Sequence, residues 1–555
     1  MVQVPHLHLP HLGKGIGKPF KRLKLGHAAS KSFKEFLDKT LVHGCQYIVE
    51  PLRPTAEKTM WTCVLFAMVV ASIYIVMFAW ARFTENPTIT TLESQHYSIF
   101  GLDYPAVAIC PNNKISKTNA EKYADYLMSS KLLPKNYRSK ERLVTLIRYM
   151  GRLYDSDIEG IDLFGNFQQI LDKVDSNKTT GIFNAQEKLQ FLSPKCEDLI
   201  LVCQWGGNVF NCSDMIEMKA TSEGFCCIFN YVRVSNGTKK AKLSPAGIGP
   251  DMGLTVLLNL SSVDYFYPLK NFVGATCLIF DPEEYADGAT GGVREVPLEA
   301  FQEVRVTLSI NTKIAVEEVQ RYSIAKRGCM FPNDLPEEYN GNYVYGNCLV
   351  KCKLKSVVAL CKCKLYNLPT DFSDVDTSSL PFCSLADISC LNKYRIKWQT
   401  FKPREVIKGL ERDVEDSLSC ENCYPLCSSS SYIVDSTATQ LNFNYINKGS
   451  IIARMKESQD LSVLKVYFPH ADSVLYQTNV LYAWYDIVSD YGGILSLFLG
   501  CSIISVFETI YFMSFRLYQN IFNINNLMAK LKQKQKVNIF DTGMNLKRPK
   551  FDYLN

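Results

Sequence analysis

Two long runs of apolar residues dominate the hydropathy pattern of this chain. The first lies between Lys58 and Arg82, where residues 59–81 form 23 consecutive positions without a formal charge. The second lies between Asp490 and Arg516, where Glu508 is the only charged residue among 25. At about 1.5 Å per residue, a helix of either length crosses a hydrocarbon core of roughly 30 Å. The pattern therefore predicts two membrane spans, at residues 59–81 and 490–515.

The long segment between these runs has the pattern of a mixed α and β domain. Stretches such as YPAVAIC, LTVLLNL and EVRVTLSI are short and rich in β-branched residues, which favours strands. Residues 118–150 and 456–480 have apolar spacings that are compatible with helices. We therefore expect an α+β domain whose helices are mostly peripheral.

Charge places the two ends of the chain on the same side of a membrane. Residues 1–58 contain ten Lys and Arg against four Asp and Glu, and residues 516–555 contain eight against two. Because Lys- and Arg-rich flanks stay in the cytoplasm, we expect two cytoplasmic tails at 1–58 and 516–555 and an extracellular domain at 82–489. A secretory signal peptide is the alternative for the first run, but that run begins only at residue 59 and no convincing cleavage site follows it.

The cysteines and the glycosylation sequons fit this arrangement. Of the 20 cysteines, 17 lie between residues 82 and 489, and disulfides are the default for an extracellular compartment. The usable N-x-S/T sequons lie in the same segment, at Asn177, Asn211, Asn236 and Asn259. We therefore predict a disulfide-bonded glycoprotein domain. Because 17 is odd, at least one of its cysteines is free or bonded outside the chain.

Motifs that support catalysis are missing from the sequence. It contains no H-E-x-x-H, G-x-S-x-G or G-x-x-x-x-G-K-[ST]. A histidine tract at His6, His8 and His11 could bind a metal in principle, but a terminal tract that binds none is favoured. A cysteine cluster has the spacing of metal ligands, although disulfides are favoured outside the cell; its members are Cys420, Cys423 and Cys427. We expect no enzyme activity, no metal site and no cofactor.

The second apolar run has features of a water-lined helix. Read as one continuous helix, it has a stripe of small residues at Ser489, Gly492, Ser496 and Gly500, which also suits ordinary helix packing. Gly500 and Ser502 lie two residues apart, so both can face one pathway only if the helix unwinds there. Glu508 is costly in lipid and indicates a water-filled pathway or a polar partner, unless it lies near the cytosolic interface. Two spans cannot enclose a pore alone, so we predict an oligomer with the second helices central.

Four short motifs follow one another along the chain, one before the first span and three after it. His43-Gly44 precedes the first span, and YPAVAICPNN follows it at residues 104–113. GFCCIFN at 224–230 and GATCLIFDPEEY at 274–285 come later. In this order they resemble the degenerin and epithelial sodium channel family, and its insect pickpocket branch in particular, from about residue 40 to residue 515. In that family the His-Gly pair is linked to gating.

The resemblance also implies a set of disulfides that spacing alone could not select. The family's thumb cysteines form nested bonds, like the rungs of a ladder. The implied thumb pairs are Cys329–Cys427, Cys348–Cys423, Cys352–Cys420, Cys361–Cys390 and Cys363–Cys383. Two further implied pairs are Cys110–Cys226 and Cys203–Cys212, whereas Cys196, Cys227 and Cys277 exceed the family pattern.

Within the second span, the resemblance assigns roles to individual residues. Gly500, Cys501 and Ser502 match the family's G/S-x-S selectivity tract, and Ser489 occupies the position where bulky residues tend to hold such channels open. Glu508 matches the acidic residue below the tract. The other residues that we assign to pore lining and gating are Asp490, Gly492, Gly493 and Ser496.

The resemblance implies a trimeric channel in the plasma membrane. Its extracellular domain would consist of palm, finger, thumb, knuckle and β-ball elements. The subunit would assemble as a homotrimer or with related channel subunits in membrane lipid, and an extracellular chemical or mechanical stimulus would open it. It would conduct Na⁺ and be blocked by amiloride. Na⁺ is the permeant ion, not a cofactor, and the residues indicate neither a nucleic acid nor a particular extracellular ligand.

Other classes of protein share parts of this pattern. A trimeric ATP-gated channel has the same topology, but it would require a lysine-rich nucleotide pocket. A two-pass, cysteine-rich receptor or adhesion protein would conduct no ions and would tolerate bulky residues at Gly500. A membrane-tethered hydrolase is disfavoured by the missing nucleophile and metal motifs.

Overall fold

The computed structural model describes residues 17–85, 87–156, 161–176, 183–233, 241–335, 343–372, 379–402, 417–442, 460–527 and 529–530. Asn177, Asn236 and the three histidines of the N-terminal tract lie outside these residues. The chain forms two units. One consists of residues 1–87 and 481–555 and contains both apolar runs, and the other consists of residues 88–480.

The helices of the described residues are, in chain order, α1 (Gly17–Lys39), α2 (Cys45–Val49), α3 (Thr55–Glu85), α4 (Lys117–Ser129), α5 (Lys140–Arg148), α6 (Arg152–Asp155), α7 (Ile161–Val174), α8 (Ala185–Leu192), α9 (Cys196–Leu199), α10 (Cys212–Met215), α11 (Ile324–Arg327), α12 (Tyr345–Cys361), α13 (Ile388–Gln399), α14 (Trp484–Leu499) and α15 (Ile503–Tyr511). A π-helical turn at Phe512–Arg516 follows α15, and the helical run continues to Leu527.

The strands are β1 (Thr88–Ser98), β2 (Ala106–Pro111), β3 (Ile200–Trp205), β4 (Asn208–Phe210), β5 (Ile216–Thr221), β6 (Gly224–Phe229), β7 (Leu254–Asn259), β8 (Gly274–Phe280), β9 (Arg294–Glu299), β10 (Gln302–Ala315), β11 (Ser429–Gln440), β12 (Leu461–Tyr467) and β13 (Asp472–Val480).

The first apolar run forms α3, which extends beyond the expected span at both ends. Its large apolar side chains are exposed, including Phe66 and Tyr74, as suits a helix in lipid. Among the described residues, α3 is the one helix that is long and apolar enough to cross a membrane by itself. The second apolar run is bent by 71° between α14 and the helix that begins at Ile503, so it counts as a second span only if both parts cross together.

The 88–480 unit is built on two sheets. The larger sheet has the strand order β1-β13-β10-β12-β7-β3-β4, and β11 pairs along β10. The smaller sheet, β5-β6-β2-β8-β9, is antiparallel throughout. Apolar side chains of both sheets, such as Val107 and Ile109 from β2 and Val256 from β7, share one core. The other face of β2 is also covered, because Ala106 and Ala108 lie in a separate buried cluster.

Helices cover the outside of these sheets. The apolar faces of α4, α5, α7 and α8 meet in a core of their own, which contains Leu127, Ile147, Leu171 and Leu189. Another core lies between α12 and α13, around Val350, Val357 and Leu391. The helices expected within residues 118–150 are present as α4 and α5.

The helix expected at residues 456–480 is wrong, because the described part of this segment forms β12 and β13. The apolar spacing of residues 456–480 is compatible with a helix, which is why a helix was expected. However, β12 lies between β10 and β7 and is buried on both faces, so its side chains do not alternate between apolar and polar. A strand buried on both faces cannot be distinguished from a short buried helix by periodicity alone.

Eight disulfides cross-link the 88–480 unit. Seven of them join the pairs implied by the resemblance: Cys110–Cys226, Cys203–Cys212, Cys329–Cys427, Cys348–Cys423, Cys352–Cys420, Cys361–Cys390 and Cys363–Cys383. The eighth, Cys196–Cys227, joins α9 to β6. Cys277 in β8 is buried and has a free thiol. It is therefore the unpaired cysteine that the odd count required.

Candidate functional site

The second apolar run breaks at the tripeptide Gly500-Cys501-Ser502. Gly500 ends α14 with φ of +66°, in the left-handed region that favours glycine. Its N–H donates to the carbonyl of Ser496 at 2.8 Å, and the N–H of Cys501 donates to Leu495 at 3.4 Å. This is the local unwinding that the spacing of Gly500 and Ser502 requires if both are to face one pathway.

Ser502 starts the next helix as its N-cap. Its backbone is extended, with φ of −121° and ψ of 172°. Its hydroxyl oxygen accepts a hydrogen bond from the N–H of Ser505 at 3.4 Å, and the hydroxyl oxygen of Ser505 accepts one from the N–H of Ser502 at 3.2 Å. The two serines therefore cap the helix reciprocally.

The segment before α3 packs against this break. The N–H of His43 donates to the carbonyl of Leu499 at 3.0 Å. The imidazole of His43 lies so close to Gly500 that a Cβ there would be 2.5 Å from Nδ1. Gly44, with φ of +84°, then turns the chain into α2. The His-Gly pair and the predicted selectivity tract are thus neighbours within one unit.

Glu508 also faces this N-terminal segment. Its carboxylate is half-buried and accepts a hydrogen bond from the N–H of Leu41 at 3.4 Å. One turn further along, Phe512 is buried against Phe36 of α1, with their ring centroids 5.8 Å apart. A polar partner was one of the explanations for a carboxylate in this apolar run, and the N–H of Leu41 is such a partner within the chain. The exposure of Glu508 to a pathway stays a prediction.

Contacts of Arg516 and Asn520, beyond the second apolar run, continue the same interface. Arg516 Nε donates to a carboxylate oxygen of Glu35 at 2.8 Å. Asn520 donates from its side-chain amide to the hydroxyl of Ser32 at 2.9 Å, and both residues are buried. Sequence reasoning missed these partners of the second apolar run, because they come from a helix nearly 500 positions away in the chain.

The residues expected to line a pore lie on the open side of α14. Ser489, Gly492, Gly493 and Ser496 are exposed in the single chain. A Cβ added at Gly492 or Gly493 would meet no atom within 4 Å. Gly500 does not continue this stripe, because the helix ends at Leu499. The face therefore has room for a second copy or for water.

Asp490 lies on another part of α14. With Arg82 and Phe83 of α3 it lines a cavity of about 200 Å³ between the two helices. Of the described sequons, Asn211 is exposed and Asn259 is half-buried at the end of β7. Among the residues that the structure describes, no group of three or more His, Cys, Asp or Glu side chains could hold a metal ion.

Comparisons with known proteins agree on one family. A family model described as "Amiloride-sensitive sodium channel" matches residues 36–512. Pickpocket protein 28 of Drosophila melanogaster is 22% identical over 544 aligned residues, which cover 88% of this chain and 79% of that protein. Sodium channel protein Nach of Drosophila ananassae is 21% identical over 491 residues, with 88% of each chain covered. Epithelial sodium channel subunit beta-2 of Xenopus laevis is 26% identical over 183 residues, which cover 32% of this chain and 26% of that protein.

Proposed function

Because the chain belongs to the amiloride-sensitive sodium channel family, we propose that it is a subunit of a sodium-selective, amiloride-blocked channel opened by an extracellular chemical or mechanical stimulus. The match to the family model confirms the family predicted from the motifs. Membership also accounts for the missing catalytic motifs, because the family's proteins are ion channels and not enzymes. The family's members are channels of the plasma membrane that assemble from related subunits.

The break at Gly500-Cys501-Ser502 is the observation that carries this proposal. Unwound backbone at membrane depth is tolerated where it is buried in protein or lines water. Gly500 and Cys501 are half-exposed and Ser502 is exposed, so the tripeptide is open to solvent on one side. Carbonyl and hydroxyl oxygens can replace part of the hydration shell of Na⁺. We assign the selectivity filter to this tripeptide.

The proposed topology has two spans and an extracellular domain. α3 supplies the first span, and α14 together with the helix from Ile503 supplies the second. Both tails are cytoplasmic, because both are rich in Lys and Arg. The eight disulfides between Cys110 and Cys427 support an extracellular position for the 88–480 unit.

The proposed assembly is a homotrimer or a heterotrimer with related subunits. Two spans cannot enclose a pore alone, and the open face of Ser489, Gly492 and Ser496 suits contact around a shared axis. Small residues at such a face let helices approach closely. The relatives named as epithelial sodium channel beta subunits support assembly with non-identical partners.

The strands next to the spans suggest how a stimulus reaches the gate. The chain enters β1 at Thr88, soon after α3, and leaves β13 at Val480, just before α14. β1 and β13 pair antiparallel, and the hydroxyls of Thr90 and Thr478 lie 2.8 Å apart. A movement of this strand pair would act on both spans together. The disulfides of α12 and α13 limit how much of an external movement is lost within the extracellular domain.

Recording ionic current tests this function. The chain carrying Ser489→Val is expressed in oocytes, alone and with related subunits, because a bulky side chain at this position should hold the gate open. We expect a constitutive current that prefers Na⁺ to K⁺ and is blocked by amiloride. Ser514→Val, at an exposed serine beyond the proposed filter, is the matched control and should give no constitutive current. If Ser489→Val reaches the cell surface and passes no current in any combination, the proposal fails.

A further inference from the structure

Ser505 is a buried hydroxyl next to the proposed filter but outside the tripeptide. Its side chain is 3% exposed, whereas Ile504 and Val506 on either side are largely exposed. Its hydroxyl oxygen accepts from the N–H of Ser502 at 3.2 Å and lies 3.4 Å from the hydroxyl oxygen of Ser502. The N–H and the hydroxyl of Ser502 are thus both in contact with the side chain of Ser505.

The backbone donors and acceptors of Gly500-Cys501-Ser502 differ in how far they are hydrogen-bonded. The N–H groups of Gly500, Cys501 and Ser502 all donate to partners within the chain, the last of them to Ser505. The carbonyl oxygens of Gly500 and Cys501, in contrast, accept no hydrogen bond from the described residues. The three N–H donors are therefore held by the protein, the oxygens of Ser502 accept from the N–H of Ser505, and the carbonyl oxygens of Gly500 and Cys501 are left open. Open oxygens are what a cation requires.

Ser505 is itself fixed in place. Its carbonyl accepts a hydrogen bond from the hydroxyl of Thr509 at 2.8 Å, and its N–H is held by the carbonyl and hydroxyl oxygens of Ser502. It lies on the same side of the helix as Glu508 and Phe512, which face the N-terminal segment. The hydroxyl therefore approaches Ser502 from a packed side.

We propose that Ser505 is a positioning residue for ion selectivity, which holds the N–H of Ser502 so that the carbonyl oxygens of Gly500 and Cys501 face the permeating ion. This inference rests on the proposed function and deepens it. If the Ser505 hydroxyl is removed, the N–H of Ser502 loses its hydrogen-bond acceptor at a position that we place inside the membrane. It would then turn towards water or towards a neighbouring carbonyl, and the set of oxygens that meets the ion would change.

A purely structural helix cap gives a different expectation. Loss of a cap lowers the stability of the helix and with it the amount of channel at the surface. It does not by itself change how the remaining channels discriminate between Na⁺ and K⁺. The permeability ratio therefore separates a positioning role from a capping role.

The test uses full-length channels in the Ser489→Val background, with reversal potentials measured in Na⁺, Li⁺ and K⁺ solutions. Ser505→Ala removes the hydroxyl, Ser505→Thr keeps it, and Ser505→Cys replaces it with a weaker hydrogen-bonding group. Ser514→Ala is the control, because among the described residues its hydroxyl donates within its own helix, to the carbonyl of Ile510. Surface biotinylation is measured in parallel.

We expect Ser505→Ala to lower the Na⁺/K⁺ permeability ratio by about tenfold, the value of one lost hydrogen bond to a buried group. Ser505→Thr should retain the parental ratio, Ser505→Cys should be intermediate, and Ser514→Ala should match the parent. An unchanged ratio in Ser505→Ala, even with fewer channels at the surface, would overturn the inference. If Ser505→Ala does not reach the surface, equal ratios in the Thr and Cys variants would overturn it.

The recordings also separate this inference from the proposed function. If the parent channel conducts without preferring Na⁺, or does not conduct, the function is wrong whatever Ser505 does. If the parent is selective and the Ser505 variants keep its selectivity, the function stands and the positioning role is wrong.

Discussion

The backbone N–H of His43 donates a 3.0 Å hydrogen bond to the carbonyl oxygen of Leu499, and its ring lies against Gly500. The segment before α3 is thereby attached to the last residue of α14. Because Leu499 directly precedes the proposed filter, a displacement of His43-Gly44 would reach the filter through one peptide unit. This contact gives a physical basis for a role of the His-Gly pair in gating.

Gly500 should not tolerate even a methyl group. Ala at φ of +66° costs roughly 1–2 kcal/mol, and its Cβ would also overlap the His43 ring. We expect Gly500→Ala to reduce the Na⁺ current about tenfold or more at an unchanged surface amount. Adding His43→Ala should recover part of the current, because the overlap is removed and the backbone cost is not.

The control for this substitution is Gly26→Ala in α1. A Cβ there meets no atom within 4 Å, and alanine suits a helix. Its current should equal that of the parent. Two-electrode recording measures the Na⁺ current of each variant, and surface labelling measures the amount of channel. A Gly500→Ala channel that conducts as well as Gly26→Ala would refute the close contact with His43.

The pair Glu35 and Arg516 should couple the N-terminal helix to the C-terminal end of the second apolar run. Their atoms lie 2.8 Å apart, and both side chains are partly exposed, so the pair is worth about 1 kcal/mol or less. We expect Glu35→Arg or Arg516→Glu alone to change the current two- to fivefold, about 1 kcal/mol. The double exchange should restore it.

Asp38→Arg provides the matched charge reversal on the same helix, at an exposed position. It should leave the current near the parental value. Equal defects in Glu35→Arg and Asp38→Arg, with no recovery in the double exchange, would mean that added positive charge on α1, and not this ion pair, controls the current.

How much of this site could be predicted from sequence differs from residue to residue. The break was foreseeable, because Gly500 and Ser502 are local signals for helix termination and capping. The partners of Glu508 and Arg516 were not, because they come from α1 and the segment after it, and no local pattern reports a contact over 400 positions in the chain.

The fold shows the same division. α3 follows directly from an uninterrupted apolar run, and β2, β7 and β10 follow from β-branched stretches. The strand β12 was missed because burial on both faces removes the alternation on which sequence reasoning relies. The Cys196–Cys227 pair could not be inferred, because disulfide connectivity depends on which strands become neighbours.

Glu284 should make the stability of the 88–480 unit depend on pH. Burial raises the pKa of its carboxyl to about 7, with Asp281 and Asp287 nearby adding to the effect. A raised pKa means that the folded state prefers the protonated form. The stabilisation is therefore complete below about pH 4.5 and is lost as the pH rises through about 7, by an amount on the order of 3 kcal/mol.

Thermal unfolding of the detergent-solubilised channel at pH 5.5 and pH 8 measures this effect. We expect a lower Tm at pH 8 and a clearly smaller difference in Glu284→Gln, which is always neutral. Glu93→Gln, at an exposed position in β1, should behave like the parent. A Glu284→Gln protein with the parental pH dependence would show that this carboxyl is not the group responsible.

Cys277 should be chemically silent in the folded protein. Burial raises the pKa of its thiol to about 12, so almost no reactive thiolate exists at neutral pH. Iodoacetamide at pH 8 should leave it unmodified until guanidinium unfolds the chain. Peptide mass spectrometry should then find it alkylated and Cys196 bonded to Cys227. Labelling of Cys277 without denaturant, or its recovery in a disulfide, would contradict the structure.

Accessibility of the α14 face tests the central claim most directly. In a Cys501→Ser background, Ser496→Cys and Gly492→Cys are exposed to a positively charged, membrane-impermeant thiol reagent from outside while the current is recorded. If α14 helices surround a water-filled axis, the reagent should block most of the Na⁺ current, and amiloride should slow the reaction. Phe66→Cys, on α3, which we propose faces lipid, should not react. Equal inertness of all three cysteines, in channels that are at the surface and conducting, would contradict a pore at this position.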